Sequence, residues 1–218
     1  GLHYLLIHFD IPPEPTGWKL RISGCVDHPF DIDLDGLKAL PSKTLRVTLE
    51  CAGNGRGQLS PRYPSVPWLE EGVSTAEWTG VPLALLLARA SLRSEAQDIV
   101  FRGADRGFDR GVEHEFARSL VPDLARREEV VLAYAMNGEA LPPQHGAPLR
   151  LVVPGWYGMA SVKWLDRIEV VAEPFQGYQM ARAYRYSQTA DGPGEAVTLI
   201  RARALMIPPG IPDFMTRN

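Results

Sequence analysis

The stretch TLECAGNGRG, residues 48–57, places a cysteine where an apolar segment gives way to a glycine-rich turn. Residues 46–49 are predicted to form a strand, and the glycines after it let the backbone approach a ligand closely. Successive amides in such a turn can form an anion-binding concavity. Arg56 adds a fixed positive charge, so the Cys51 thiol is expected to favour the thiolate, which attacks or binds metal. The local pattern alone also fits a buried cysteine before an ordinary loop, because free cysteine usually behaves as a small hydrophobe.

A second cluster of polar residues surrounds the turn PGWYG at residues 154–158. His145 and Arg150 precede this turn, and Ser161 and Lys163 follow it. Arginine and lysine are the usual partners of phosphate, so the cluster could line an anion pocket. It does not match the phosphate-loop pattern, in which four residues separate a first glycine from a Gly-Lys-Ser/Thr sequence. Surface charge at strand ends is the alternative interpretation.

The composition is that of a globular protein. The 218 residues are 45% hydrophobic and 22% charged, and the net charge of −3 argues against a general nucleic-acid binder. No apolar run is long enough to span a bilayer. Two cysteines, Cys25 and Cys51, do not make a disulfide scaffold. The sequence begins with glycine and not methionine, so we expect a fragment or processed form whose compartment, bacterial periplasm or cytoplasm, stays open.

Strands outnumber helices in the sequence pattern. Strands are predicted at residues 18–22, 46–49, 99–102, 129–135, 150–153, 162–171 and 197–205, helices at 33–40 and 81–90, and a loop at 57–80. The strands do not alternate with helices, which favours an α+β fold over a doubly wound α/β fold. Residues 1–206 are expected to form one domain. The proline-rich tail at 207–218 is expected to be a linker toward a C-terminal domain absent from the chain.

Several other residues have weaker claims to function. His3, His28 and His114 show no metal-ligand spacing and are expected on the surface or in packing, and Glu113 and Glu115 are expected to be solvated. The tyrosines near residues 178–186 could line a polar pocket. A cysteine-dependent hydrolase would need a histidine base beside Cys51, for which His145 is the candidate.

Five motifs occur in a fixed order along the chain. They are the stretch at 48–56, AEWTGVPL at 76–83, LAYAMNG at 132–138, HGAPLR at 145–150 and VPGWYGMASVKWL at 153–165. Together they resemble the molybdopterin-binding domain of the sulfite oxidase family, bacterial type, over about residues 8–186. The resemblance implies the family's mixed α+β molybdopterin-binding fold and a molybdenum cofactor with one pterin per molybdenum. It changes the interpretation of Cys51 from structural to functional.

The resemblance also implies roles for individual residues. Cys51 would be the single protein ligand to molybdenum, where a soft thiolate suits a metal held by sulfur. Arg56 would attract an anionic substrate near the metal, and Tyr184, or alternatively Tyr186, would be the active-site tyrosine. The implied cofactor-binding residues are His8, Asn54, Arg56, His145, Arg150, Ser161 and Lys163. The implied chemistry is two-electron oxo transfer.

One departure from the family pattern bears on the substrate. Leu6 stands where the animal and plant sulfite oxidases carry an arginine, which removes one positive charge from the expected substrate clasp. Oxidation of sulfite or a related small oxyanion is the first expectation. S-oxide or N-oxide reduction, and a cofactor-free binding module that kept the fold, are the alternatives. An external electron carrier such as a cytochrome, and a homodimer formed through the absent C-terminal domain, are the expected partners.

Overall fold

The computed structural model describes residues 3–61, 65–187, 192 and 194–202. The helices are α1 (Leu34–Lys38), α2 (Leu83–Ala90) and α3 (Pro122–Ala125), with short 3-10 turns at Arg56–Gln58, Pro143–His145 and Gly158–Ala160 and a π-helix at Gln179–Ala183. The strands are β1 (Lys19–Gly24), β2 (Phe30–Asp33), β3 (Lys43–Glu50), β4 (Val73–Pro82), β5 (Asp98–Asp109), β6 (Val112–Leu120), β7 (Val131–Met136), β8 (Glu139–Ala140), β9 (Arg150–Val152), β10 (Leu165–Val171), β11 (Arg185–Tyr186) and β12 (Glu195–Ala196). The predicted α+β class is confirmed.

Two five-stranded sheets organise the molecule. One has the order β2-β1-β10-β5-β6, in which β1 and β10 are parallel and the other neighbours antiparallel. The other has the order β3-β4-β7-β8, with β9 also pairing with β7. β11 and β12 form a separate two-stranded ribbon. Because β9 lies in one sheet and β10 in the other, the stretch 153–164 between them connects the two sheets.

The larger core lies against the first sheet and α2. The helix buries Leu83, Leu86, Leu87 and Ala90, which recur every three or four residues and therefore share one face. They join buried side chains of β1, β5 and β10 in one cluster. A smaller core, formed mainly by side chains of the second sheet, includes Trp78 at 0% exposure. Both cores are closely packed, so the segments that carry the polar motifs are held by rigid strands.

The prediction of a loop over residues 57–80 is wrong in its last third, because β4 begins at Val73. Ala76, Trp78 and Gly80 are buried while Thr75 and Glu77 are exposed, which is the alternation of a half-buried strand. The predicted helix at 81–90 accordingly begins two residues later, because residues 81–82 complete β4.

β6 was also missed, because its charged residues suggested a solvated run. Glu115 instead lies on a paired strand and accepts hydrogen bonds from Arg102 (2.6 Å) and from Arg167. Ion pairs therefore join side chains of β5, β6 and β10 across the surface of the sheet, in addition to the backbone hydrogen bonds between these strands. The predicted strand at 197–205 is wrong where the structure describes it, since only Leu199 forms an isolated bridge, with Trp156. Residues 203–205 and the tail at 207–218 lie outside the described residues.

Candidate functional site

A cleft with an empty volume of about 610 Å³ gathers the two polar motifs at one place. Its walls come from the extended N-terminal segment, the end of β3, strands β5, β6 and β9, the stretch between β9 and β10, and the segment after the π-helix. The lining residues are His3, Tyr4, Leu5, Leu6, His8, Leu49, Cys51, Ala52, Asp105, Phe116, His145, Arg150, Gly158, Met159, Ser161, Lys163 and Tyr184. Residues far apart in sequence thus meet around the thiol of Cys51.

The turn after β3 brings a guanidinium onto the Cys51 thiol. Sγ accepts from the Gly53 amide (3.4 Å) and lies 3.8 Å from Arg56 Nη2, while Arg56 Nε donates to the Gly53 carbonyl (3.1 Å). A Cβ at Gly53 would fall 1.5 Å from the Arg56 guanidinium, so this arrangement requires glycine there. Gly55 takes the left-handed conformation with φ 88°. The loop therefore holds positive charge beside a buried sulfur that is 4% exposed.

Asn54 braces this turn and does not line the cleft. Its side-chain amide donates to Glu50 Oε1 (3.1 Å), and its carbonyl oxygen accepts from the Gly72 amide (3.0 Å). Gly72 also accepts a hydrogen bond from the Cys51 amide at 2.7 Å. The structure thus places Asn54 under the cysteine turn, where it fixes the turn against the start of β4. Its predicted contact with the cofactor finds no support in this placement.

Arg150 is a buried cation, 5% exposed. Its Nη1 and Nη2 donate to the carbonyls of His145 (3.0 Å) and Ser161 (3.1 Å). Nε has no hydrogen-bond partner within the described part of the chain, nor does any carboxylate there form an ion pair with the side chain. Burial lowers its pKa to about 10, so the side chain stays charged at neutral pH. An uncompensated buried charge is costly, which indicates that an anionic group completes this site.

Lys163 lies beside Arg150 in the same wall. Its Nζ donates to the carbonyls of Leu6 (2.9 Å) and Gln144 (3.3 Å), which ties the N-terminal segment to the cleft. Burial and the charge of Arg150 lower its pKa to about 7. An anion bound here would favour the protonated amine and reverse that shift. The Asp105 carboxyl in the same lining offsets only part of this charge, so the excess of positive charge is a second indication of an anion site.

Asp105 supplies the one carboxyl among the described lining residues. It is 4% exposed, its Oδ1 has no partner in the described chain, and burial raises its pKa to about 6. Sequence reasoning missed this residue. The available signal was an acidic residue between two glycines, Gly103 and Gly107. In the structure both glycines are closely approached, since a Cβ at Gly103 would lie 2.4 Å from Asp105 Oδ1 and one at Gly107 would lie 2.6 Å from Phe9.

His8 and Tyr184 form the other side of the cleft, with His8 Nε2 2.6 Å from the Tyr184 hydroxyl. Desolvation within the cleft and the charge of Lys163 lower the pKa of His8 to about 4, although the residue also borders solvent at the mouth. Neutral His8 can therefore accept the phenolic hydrogen. Burial raises the pKa of Tyr184, and the electrostatic effect of Cys51 raises it further, so the hydroxyl keeps its hydrogen. Tyr186 packs against Arg201 at 3.8 Å and lies outside the cleft lining.

His145 and His3 meet at the inner end of the cleft, with ring centroids 5.4 Å apart. His3 was expected on the surface or in packing, and the structure instead gives it a place in the lining. Burial and Arg150 lower the pKa of His145 to about 4. The donors to Cys51 Sγ within the described residues are Gly53 and Arg56, and no histidine there bonds to the thiol. The pairing of nucleophile and base that a cysteine hydrolase needs is therefore missing from this part of the chain.

His145 leads to a prediction for the cofactor-free chain. Its folded pKa of about 4 lies below the unfolded value of 6.5, so the folded state binds fewer protons between those values and loses stability as pH falls through them. Asp105, whose pKa is raised to about 6, acts in the opposite direction. We expect the urea midpoint to fall between pH 7 and pH 5 by less in His145→Gln than in the parent chain. The exposed His28→Gln is the control, and equal falls in all three proteins would contradict the assignment.

Fold and cleft together place buried cations and a buried thiol around one space. A family model described as the oxidoreductase molybdopterin binding domain matches residues 8–179, and the chain belongs to this family, with the molybdopterin-binding domains of sulfite oxidase type. The domain's cofactor is the molybdenum cofactor. Among the described residues, no group of three or more His, Cys, Asp or Glu could chelate a metal alone.

Several relatives illustrate the range of this family. The chain is 33% identical over 208 residues to nitrate reductase [NADPH] from Beauveria bassiana, covering 91% of this chain and 23% of that protein. It is 36% identical over 195 residues to mitochondrial sulfite oxidase from Mus musculus, covering 84% and 35%. The crystal structure of the sulfane dehydrogenase SoxCD from Paracoccus pantotrophus matches with a TM-score of 0.71 and 30% identity, covering 84% of this chain and 45% of that chain. The chain thus spans about a fifth to a third of the curated relatives' length.

The residues present fit a molybdenum–pterin group. The Arg150 Nε without a hydrogen-bond partner in the described residues, and the two neighbouring positive charges of Arg150 and Lys163, suit the phosphate of this group. The Asp105 oxygen that has no partner there suits N–H donors of the pterin ring. The thiol of Cys51, in the same lining, is a soft donor that suits the metal. In the described part of the chain, no helix is both long and apolar enough to cross a membrane.

Proposed function

We propose that this chain is the catalytic domain of a molybdenum oxidoreductase that acts on a small sulfur oxyanion, with sulfite the first candidate. The observation that carries the proposal is the cleft itself. Its lining holds two buried cations, Arg150 and Lys163, against the single carboxyl of Asp105, and it also holds the Cys51 thiol, 3.8 Å from the Arg56 guanidinium. The sulfite oxidases and the sulfane dehydrogenase among the relatives support sulfur chemistry, whereas the nitrate reductases support an oxyanion more generally.

The inner wall would hold the cofactor. Arg150, Lys163 and His145 converge on one region and would bind its phosphate, and the Ser161 hydroxyl, which accepts from the Val153 amide at 3.1 Å, lies next to them. Cys51 would be the protein ligand to the metal. When bound, the cofactor supplies two-electron oxo transfer. Most of the donors on this wall are fixed by backbone carbonyls or strands, so little ordering is needed when the cofactor binds.

The outer part of the cleft would bind and orient the substrate. Arg56 lies outside the cleft lining, but it supplies a fixed positive charge 3.8 Å from Sγ, which would attract an anion toward the thiol. The Tyr184 hydroxyl can donate to a substrate oxygen, and His8 Nε2, 2.6 Å away, can accept the same proton. The pair would therefore hold one phenolic hydrogen at the substrate position. Phe116 and Met159 exclude water from the other side.

An S-oxide or N-oxide reductase is the second candidate, and it rests on the apolar N-terminal wall. Leu5 and Leu6 line the cleft where additional charge would be needed to clasp a dianion. The backbone carbonyl of Leu6 is already occupied by Lys163 Nζ, so the side chain of Leu6 lies on a segment fixed to the cleft. Such a wall favours an uncharged substrate with a methyl or aryl group.

Substrate assays with the loaded enzyme distinguish the two candidates. The first predicts reduction of a one-electron dye or a cytochrome when sulfite is added. The second predicts sulfoxide-dependent oxidation of a reduced viologen dye. Both reactions need an external electron carrier, which belongs to the proposal, whereas dimer formation through a further domain stays a prediction. Loaded enzyme that passes electrons with neither class of substrate would contradict the proposal.

Leu6→Arg should shift the preference of the cleft toward anions. A guanidinium added about 8 Å from a bound anion gains about 2 kcal/mol near a protein surface, and salt screening reduces this gain to a roughly tenfold lower KM for sulfite. Turnover of an uncharged sulfoxide should not gain. Val121→Arg adds the same charge at an exposed site outside the cleft lining and serves as the control. Equal effects of the two variants on sulfite KM would show that Leu6 does not face the substrate.

A further inference from the structure

Arg118 is a second buried arginine, and it lies outside the cleft lining. It is 1% exposed and points from β6 toward the segment that carries Tyr184. Its Nη1 donates to the Gln179 carbonyl (2.5 Å) and its Nη2 to the Val197 carbonyl (2.9 Å). Gln179 precedes Tyr184 by five residues and Val197 follows it by thirteen. One guanidinium thus ties both sides of this segment to the sheet.

The same segment is held to β6 by a second polar contact. Gln179 Nε2 lies 3.0 Å from His114 Nε2, and His114 Nδ1 lies 3.0 Å from the Val112 carbonyl. The carbonyl can only accept, so Nδ1 carries the hydrogen and Nε2 accepts from the Gln179 amide. Gln179 is 1% exposed and begins a π-helix, a wide turn often found at functional sites.

A backbone hydrogen bond also joins two parts of this segment at Tyr184. The Val197 amide donates to the Tyr184 carbonyl (3.0 Å), while the Val197 carbonyl accepts from Arg118. The guanidinium carbon lies 5.9 Å from the centre of the Tyr184 ring. A displacement of Arg118 would therefore move the backbone and the ring of Tyr184 together, and with them the 2.6 Å contact to His8.

Packing alone does not explain an arginine at this position. Within the described residues Arg118 has no carboxylate partner, and its Nε has no hydrogen-bond partner. A buried cation that lacks a counter-charge costs free energy, and an apolar side chain of similar length would fill the same volume. The charge also lies behind the phenol that faces the substrate, where positive potential favours hydrogen-bond donation by the hydroxyl.

We propose that Arg118 is a positioning residue for catalysis: it fixes Tyr184 over the cleft by holding the carbonyls of Gln179 and Val197. The proposal rests on the proposed function, because it assigns Tyr184 to the substrate. Arg118 itself touches neither the cleft nor a bound substrate and acts through Tyr184. Substrate oxidation or reduction should therefore depend on Arg118 only while the Tyr184 hydroxyl is present.

A double-mutant cycle on the molybdenum-loaded enzyme tests this dependence. Arg118→Met should lower kcat/KM by about 10-fold, within the range that coupling between neighbouring residues spans. The same change in a Tyr184→Phe background should have less than a twofold effect, and Arg118→Lys should recover part of the loss. Molybdenum content per chain should stay at the parent level in each variant. Losses that multiply in the double mutant, or a loss explained by lower molybdenum content, would overturn the proposal.

Hydrogen–deuterium exchange gives a readout that needs no activity. In Arg118→Met, peptides covering residues 179–187 and 194–202 should exchange faster than in the parent chain, while peptides of β3 and β7 should be unchanged. Arg118→Lys should lie between the two, which keeps the test valid if the methionine variant folds poorly. Unchanged exchange in both variants would overturn the inference. This outcome is separate from a failure of the proposed function, which would show as absence of molybdenum or turnover in the parent protein.

Discussion

Cys51→Ser should fold normally and lose turnover by more than about 100-fold. Loss of a residue that only hydrogen-bonds to a metal ligand costs about 10–100-fold, and loss of the ligand itself should cost more. The fold should persist because serine is close in size and Sγ receives two long contacts from the described residues, from Gly53 (3.4 Å) and Arg56 (3.8 Å). A hydroxyl stays protonated at neutral pH and is a poor ligand for a metal held by sulfur. The measurement is steady-state turnover with the best dye-linked substrate, alongside thermal unfolding.

Cys25→Ser is the matched control for that experiment. Cys25 follows β1, is partly buried, and has its amide bonded to the Val170 carbonyl at 2.8 Å, far from the cleft lining. This variant should keep parental turnover, since its thiol has no role in the site. Parental activity in Cys51→Ser would show that the thiol is not needed for the chemistry and would remove the basis for the metal-ligand assignment.

Arg150→Met should fold and should lose most of its capacity to retain the cofactor. Each charge-assisted hydrogen bond to the bound anion contributes about 1.5–3 kcal/mol, so losing one weakens retention by about 10–150-fold. Methionine fills a similar volume and leaves the carbonyls of His145 and Ser161 without their donor, which adds a modest cost in stability. Pterin and molybdenum content after extended dialysis measure the effect.

Arg46→Met is the control for this variant. Arg46 pairs with Glu77 on the exposed face of the second sheet, and its side chain is 75% exposed. An exposed ion pair contributes little to stability, so this change should leave both cofactor content and unfolding nearly as in the parent. If Arg150→Met retained cofactor as well as Arg46→Met did, the buried guanidinium could not be the anchor of the anionic group.

The local part of the site was predictable from the sequence. The thiol, Gly53, Gly55 and Arg56 lie within six residues, and the missing Cβ of Gly53 leaves the space that the Arg56 guanidinium fills. The cluster from His145 to Lys163 was likewise visible, because two strands and one turn hold it. Spacing alone did not show that these two clusters meet in the structure. The strands that carry them, β3 and β9, belong to one sheet but are separated in it by β4 and β7. The family resemblance supplied that connection.

The missed residues depend on contacts that the sequence does not encode locally. Asp105 reaches the cleft because a register shift between Arg102 and Arg106 displaces this part of β5 from its regular pairing with β6. His3 enters the cleft because the N-terminal segment folds back, fixed by Ser74 Oγ on the Tyr4 amide at 2.9 Å. Neither contact has a periodic signal in the residues concerned, because each is set by a distant partner.

The choice between two tyrosines shows the same limit. Tyr184 and Tyr186 are two residues apart, and the resemblance was too loose to separate them. The π-helix ends at Ala183, and the residue after it turns into the cleft, whereas Tyr186 pairs with Glu195 in β11–β12 and packs on Arg201. The assignment of Tyr184 to the cleft thus depends on one wide helical turn, which propensity does not predict.

Molybdenum content per chain is the most direct test of the central claim. It is measured by mass spectrometry on the parent protein and on Cys51→Ser, both purified from a host that makes the pterin cofactor. We predict close to one molybdenum per parent chain, together with pterin fluorescence after denaturation, and a large loss of metal in Cys51→Ser. A parent protein that carries neither molybdenum nor pterin from such a host would contradict the account and favour a binding module that kept the fold without the cofactor.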